Sequence, residues 1–458
     1  MSRLSVSEST PTDVMEGCPA TGTLSTSVEL TEARVDELLG PLLKDRIIWS
    51  IRPRLTWTGR RAWDRMNLLP ISARTSVRTP ARAAVGRAAD RLRRRLVRRT
   101  PPARTATVRI AMHDGVLRAW STENHHVALG SPAPTAVIEN RWSIEARART
   151  NERQGRLIDI AQSAGFAPHL FTATLNRAVA EDWAIAAFLD DHRPRVVAVS
   201  SLEHSFQRLL VWHARQREIP SVYVPHAPTA LDREYADLPV DVVLCQGIKD
   251  IEYYGGLGGR PDAFRVTGGI SMPSRSGEPP GSRRPSRDVV IATTAIWRFE
   301  ELGELLARIV PVLTSSGLVP VLSPHPRERE AVLRLASRVG VRAHAGRTAT
   351  LLRAGVAAVL AEKASGVLLE AAVSGTPSAH LTGFTEYAFM TDLGIGPFDD
   401  RFLRESTSWS DAAAEDLANR SRAWADASGA EAARRIEAAL AEDHTLGAPA
   451  LDSWGILT

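Results

Sequence analysis

Cysteine and lysine are nearly missing from this chain of 458 residues. Two cysteines, Cys18 and Cys245, supply neither a disulfide framework nor a zinc cluster. The His125-His126 pair has no Cys or carboxylate at metal-ligand spacing, so no metal site and no metal cofactor are expected. Long apolar runs are missing too. A membrane-spanning helix needs ~18 uninterrupted apolar residues, and the longest candidate, 354–373, is broken by Glu362, Lys363 and Glu370. The N-terminus shows neither a basic leader nor an apolar stretch behind it, so no secretory signal is expected and the cytoplasm is the simplest location. What remains is the composition of a globular protein, 44% hydrophobic and 24% charged. The length exceeds what one core usually supports, which predicts two domains plus extensions.

Lysine occurs only at Lys44, Lys249 and Lys363, so arginine carries the positive charge, and it does so unevenly. Residues 51–104 hold sixteen Arg against Asp64 and Asp90, a local charge of about +14. The chain total of +5 leaves the rest acidic. Such a block can track a polyanion. An anionic membrane surface is one partner, with Trp57, Trp63 and Leu68-Leu69 entering the interface, which would make the protein peripheral at the inner face. A solvated arm is the other reading. No nucleic-acid recognition motif is present, so no nucleic-acid partner is expected.

Residues 1–27 are rich in Ser and Thr without apolar period and are expected to be disordered. Residues 28–104 read as a helical, Arg-rich extension. From 105 to 271 short apolar runs alternate with helical patterns. Val108–Met112, Arg195–Ser200, Ser221–Pro225, Val240–Gln246 and Phe264–Thr267 read as strands; Glu152–Ala164, Asn176–Leu189, Gln207–Glu218 and Lys249–Gly255 read as helices. Continuous apolar runs of this kind fit parallel strands covered on both faces. Residues 272–287 are Pro, Gly, Ser and Arg in composition and read as a linker. A second alternation fills 288–442, ending in terminal helices, and 443–458 read as a loose tail. The expected fold class is α/β, with two Rossmann-like, doubly wound domains facing across a cleft and a basic N-terminal extension.

Ligands in open α/β sheets bind outside the carboxyl ends of the strands, and the unusual residues lie in those loops. After the strand Val356–Leu360 comes Ser365-Gly366 at a helix start, with Glu370 one turn later on the same face and Gly375-Thr376-Pro377 beyond. A small turn at a helix N-terminus lets backbone N–H groups reach a phosphate, and the carboxylate can accept ribose hydroxyls; a plain tight turn with a solvated Glu is the other reading. His325, locked between Pro324 and Pro326 after Leu318–Leu322, suits a donor to a phosphate oxygen, and Arg327 adds charge; the alternative is a helix cap. Thr293-Thr294 after the strand Asp288–Ala292 offer hydroxyls to phosphate or to a helix N-terminus. In the first domain His113-Asp114, Glu203-His204 and His226, the last within Pro225-His226-Ala227-Pro228, all follow strands. Any of these side chains is a chemically suitable general base for an acceptor hydroxyl; a satisfied structural His is the bland alternative.

At these residues the chain resembles the glycosyltransferase superfamily with the two-Rossmann GT-B fold. EKASGVLLEAAVSGTPSAHL (362–381) looks like that superfamily's donor-binding stretch, with Glu362 and Glu370 spaced as the pair of many retaining members. The resemblance implies ribose binding by Glu370 and a place near the donor sugar for Glu362. The aromatic-Gly element usual after the first Glu is not here. His325-Pro326 and the stretch 219–269 are similar to capsule-polysaccharide and glycerophosphotransferase-like members, with Pro225-His226-Ala227 standing where those have Gln-His-Gly. The implied partners are a nucleotide-sugar donor and a hydroxyl acceptor, lipid-linked if the basic block lies on a membrane, in cell-envelope polysaccharide or glycoconjugate synthesis. The nucleotide sugar is substrate, and no cofactor is implied. CDP-glycerol-type phosphotransfer, a UDP-N-acetylglucosamine 2-epimerase-like reaction and a non-catalytic nucleotide-binding partner stay open as alternatives.

Overall fold

The computed structural model describes residues 46–47, 49–52, 109–120, 129, 136–137, 168–202, 204–229, 239–256, 260–272, 286–293, 299–325, 329–361, 365–381 and 387–444. The expected helix Glu152–Ala164, most of the basic block and nearly all of the linker, the terminal segments 1–27 and 445–458, His125-His126, Glu203, Thr294, Arg327 and Glu362 lie outside the described residues. The chain divides into two compact units, Met1–Pro102 with Ile144–Arg177, and Ala103–Ser143 with Ala178–Thr458. In the first unit, 46–47 and 49–52 are helical and bury Ile47, Trp49 and Ile51. The second unit carries both sheets.

Its first sheet has seven strands. β1 (Arg109–His113) and β2 (Val116–Ala119) form an antiparallel hairpin, and β3 (Ala136–Val137) pairs with the far side of β1. The turn residues Asp114 and Gly115 both have positive φ, +48° and +76°, as a two-residue Asp-Gly hairpin loop requires. From β2 onward the sheet is parallel, through β4 (Val196–Val199), β5 (Ser221–Tyr223), β6 (Val242–Cys245) and β7 (Phe264–Val266). β2, β4, β5 and β6 are buried throughout, as the unbroken apolar runs of β4 and β6 require. The intervening helices are α1 (Pro168–His192), α2 (Ser205–Arg215) and α3 (Ile248–Gly256). The expectation of a purely parallel first sheet is thus corrected at its β3–β1–β2 edge.

The second sheet contains β8 (Asp288–Ala292), β9 (Val319–Ser323), β10 (Arg342–Ala343), β11 (Ala358–Ala361) and β12 (Ser378–His380), all parallel, in the order β10-β9-β8-β11-β12. Helices α4 (Phe299–Ser315), α5 (Arg329–Val339), α6 (Thr348–Ala354) and α7 (Gly366–Val373) connect them. Successive strands step outward from β8 to β10, then the chain returns to place β11 on the other side of β8. That reversal is a topological switch point, and it opens a crevice at the carboxyl ends of β8 and β11.

Helices α8 (Ala388–Leu393), α9 (Asp400–Thr407), α10 (Asp411–Ser421) and α11 (Gly429–Ala441) complete the unit. α7 and α10 share a core with Phe389 and Trp424. α11 does not stay with the second sheet. Its apolar stripe of Ala433, Ile436, Ala439 and Leu440 packs on Val116, Val196, Val222 and Val242 of the first sheet, and Glu437 pairs with both terminal nitrogens of buried Arg118 at 2.7 Å. The approach to α11 is stitched down by Lys249 N–H to Ala423 O, Asp426 N–H to Gln246 O and Gly269 N–H to Ala427 O. The end of the stretch 288–442, residues 429–441, thus completes the core of the first sheet.

Candidate functional site

Three neighbouring strand ends build the floor of the crevice. β9, β8 and β11 are consecutive in the sheet, so their ends span about 10 Å at the usual inter-strand spacing. Thr293 follows β8 and is buried; its hydroxyl accepts the backbone N–H of His325 at 2.9 Å. The loop after β9 is thereby tied to the end of β8. Ser323, the last residue of β9, is 2.9 Å hydroxyl to hydroxyl from Thr348 at the start of α6. His325 stands half-buried above this pair.

Beyond β11 the chain enters α7. Ser365 is its N-cap residue in extended backbone, but its hydroxyl makes no capping bond. The N–H of Leu368 is bonded to the Ser365 carbonyl instead, so no side chain caps α7, and a helix start of this kind favours an anion. Gly366 opens the helix in tight quarters: a Cβ there would lie 3.1 Å from Cδ of Pro228. One turn on, Glu370 is half-buried as a residue, but its carboxyl is enclosed, and desolvation pushes it up to about 7 with Arg347 pulling the other way. Arg347 precedes α6 and is exposed. Sequence reasoning missed it; the Gly346-Arg347-Thr348 turn after a short strand was the available signal.

Gly375-Thr376-Pro377 closes the helix. Gly375 adopts φ +70°, its N–H bonds Ala372 O and the N–H of Thr376 bonds Ala371 O. This double pattern is the Schellman stop of a helix. The Trp409 indole donates to Gly375 O, so these residues end α7 and seat α10 rather than touching the crevice floor.

From the first sheet, the loop 225–229 reaches α7 through the Pro228–Gly366 contact. The chain enters it from β5, with Val224 N–H bonded to Val199 O. His226 is half-buried, and its Nδ1 lies 2.7 Å from Ser200 O. A carbonyl only accepts, so Nδ1 carries the proton. In the neutral ring Nε2 is then the basic nitrogen. Thr229 closes the loop. Its hydroxyl donates to Asp250 Oδ1 at 2.5 Å and lies 3.2 Å from Tyr254 Oη. Asp250 is buried, which pushes its carboxyl up to about 6 against the opposing bonds from Thr229, Gly247 and Gln246. Neither Thr229 nor Asp250 was singled out from the sequence. An Asp three residues after the Gly247 that heads a helix was the signal, because that spacing lets a carboxylate reach back to the helix start.

His113 and Asp114 do not join this group. β1 runs against β2, so its carboxyl end lies level with the amino ends of β2 and β4, where Gly115 O accepts Arg195 N–H. The two side chains face each other at 3.0 Å on an exposed turn, at the rim opposite the one that carries His226. A strand of this length separates the two rims by about 10 Å or more. That topology holds His113 and Asp114 apart from His226, beside which the sequence places them as catalytic residues. His204, exposed just before α2, is at the His226 rim.

No family model matches the sequence, and no curated protein matches it. Solved structures similar in arrangement include the UDP-GlcNAc 2-epimerase from Neisseria meningitidis bound to UDP-GlcNAc, at 14% identity and TM-score 0.43 over 58% of this chain and 81% of that one. The Methanocaldococcus jannaschii UDP-GlcNAc 2-epimerase is similar at 14% identity and TM-score 0.42, over 69% of this chain and 88% of that one. The calicheamicin glycosyltransferase CalG4 matches at 18% identity and TM-score 0.41, over 59% of this chain and 79% of that one. These likenesses are loose, so the functional reading rests on the crevice itself. Among the described residues no helix is long and apolar enough to cross a membrane, and no group of three metal-ligating side chains occurs.

Proposed function

We propose that this chain is a nucleotide-sugar-using enzyme, a glycosyltransferase that moves a sugar from a nucleoside-diphosphate donor to a hydroxyl acceptor. The observation that carries this reading is the meeting of two elements: an uncapped helix start at the switch point of the second sheet, and a proline-braced loop with a tautomer-fixed histidine packed against it. The α7 N-terminus and His325 receive the diphosphate, with Thr293 bracing the His325 loop. Ser365 adds its unused hydroxyl. Glu370 accepts the ribose hydroxyls. His226, on the loop whose Pro228 abuts Gly366, takes the acceptor proton on Nε2, while Ser200 O steadies the imidazolium that forms. Thr294, Arg327 and Glu362 keep the substrate-binding roles expected from their places in the sequence.

The test is a thermal-shift panel of UDP-, GDP-, dTDP- and CDP-linked donors on the full chain, followed by product analysis with hydroxyl acceptors. Transfer breaks the bond between the sugar and the diphosphate, so acceptor-dependent release of a nucleoside diphosphate is expected. Release of CMP from CDP-glycerol would replace this reading with phosphotransfer. Inversion at C2 of a UDP-sugar without transfer would replace it with epimerisation. Stabilisation without turnover would leave a nucleotide-binding partner protein, and no stabilisation by any donor would end the proposal.

A further inference from the structure

Asp250 uses its two carboxylate oxygens for different purposes. Oδ2 accepts the N–H groups of Gln246 and Gly247, at 2.8 and 3.1 Å. This caps α3, with Asp250 three residues into a helix headed by Gly247. Capping is complete without Oδ1. That oxygen instead takes the Thr229 hydroxyl at 2.5 Å, within the short range of a charge-assisted O–H···O bond. The anchor is rigid, because Tyr254 beside it is buried and stacked on Phe264 at 5.8 Å between ring centroids.

The far side of that bond is the loop that carries His226. Thr229 is three residues after His226, and Pro225 and Pro228 restrict φ at two of the intervening and flanking positions. A loop braced in this way transmits a displacement of one end to the other. Its entrance is fixed by β5, its exit by Thr229, and Thr229 O also accepts the N–H of Ala388 at the start of α8. Pro228, between them, bears on Gly366. The hydroxyl of Thr229 is thus one of the ties that hold the loop between Ser200 O and the start of α7.

We infer that Asp250, acting through Thr229, is a positioning residue that holds His226 in the Nδ1–H tautomer and in register with the start of α7. The claim about the imidazole rests on the geometry; its catalytic meaning rests on the transferase reading above. Asp250 touches no reacting atom.

The test reads the ring directly. In full-length protein labelled with 15N-histidine, the His226 signal is assigned by its loss in His226→Gln. The wild type is expected to show a protonated Nδ1 and a basic Nε2 at pH 8. Thr229→Val, which removes only the hydroxyl from nearly the same shape, should shift His226 toward the mixed or Nε2–H state of a free histidine. Thr229→Ser should restore the wild-type pattern. Asp250→Ala provides the same test by the other partner, should the valine variant fail to fold. General destabilisation leaves the native tautomer unchanged, so this readout separates positioning from stability. With a working donor and acceptor, Thr229→Val should lower kcat about tenfold or more at unchanged donor KM. An unchanged His226 pattern in both Thr229→Val and Asp250→Ala overturns the inference. A changed pattern in a protein that transfers no sugar sinks the transferase reading and leaves the positioning role standing.

Discussion

Gly366 and Pro228 touch so closely that a single added carbon on the glycine would stand 3.1 Å from the proline ring. One residue opens the helix of the proposed donor site; the other belongs to the loop of the proposed base. Gly366→Ala forces a shift of a few tenths of an ångström, and a larger side chain forces more. Gly366→Ala is expected to lower the transfer rate about tenfold with little loss of stability, and Gly366→Leu to abolish transfer. Nucleotide affinity measured beside the rate checks the cause: the alanine variant should keep most of it.

His226→Gln should separate chemistry from binding. Removing a general base typically costs about 10²–10⁴ in rate, and nothing places His226 on the nucleotide. The expected outcome is a collapse of kcat with the nucleotide-induced melting shift preserved. Full activity in this variant would move the base elsewhere on the rim, with His204 the next histidine there.

Glu370 should set a pH dependence with an unusual sign. Its carboxyl is pushed up to about 7 from an ordinary 4.5. The folded state therefore binds this proton more tightly than the unfolded chain does. The contribution of Glu370 to stability is then most favourable below pH 4.5 and is lost as pH rises through 7. Glu370→Gln, which cannot ionise, should raise the melting midpoint at pH 8 by about 1–3 °C and weaken nucleotide binding at the same time. The stabilising difference should fade by pH 5. Melting curves at several pH values with and without UDP read both effects; a variant less stable than wild type at pH 8 contradicts the burial account.

The C-terminal helix should be needed by the first sheet rather than the second. Arg118 is buried in β2, and its bidentate partner Glu437 comes from α11. Glu437→Ala leaves a guanidinium in the core without its carboxylate, a loss of about 2–3 kcal/mol. Urea denaturation checks the size. The companion Arg118→Met with Glu437→Leu should recover much of it, because an apolar pair carries no desolvation cost there.

Much of this architecture was legible because buried parallel strands are written as unbroken apolar runs. VVAV at 196–199, VVLC at 242–245 and AVLA at 358–361 could be read directly. Helix starts and strand ends then placed His226, Thr293, His325 and Ser365 on carboxyl rims. The hairpin is the exception. Asp114-Gly115 between β1 and β2 is the signature of a two-residue turn, and the reversal it makes carries His113 and Asp114 to the opposite rim. The position of α11 was not legible, since an apolar stripe states that a helix is buried and not which sheet it covers. Contacts such as Thr229–Asp250, between residues 21 apart, belong to tertiary geometry, and neither side chain looks exceptional in the sequence.

The measurement that bears most directly on the central claim is calorimetric titration of UDP, GDP, dTDP and CDP into the full chain and into His325→Ala and Glu370→Ala. At least one nucleoside diphosphate should bind the wild type with a dissociation constant in the micromolar range, about −8 kcal/mol, and each substitution should weaken it tenfold or more. Unchanged affinity in both variants, or no binding of any of the four to the wild type, would contradict a nucleotide site at the switch point between β8 and β11.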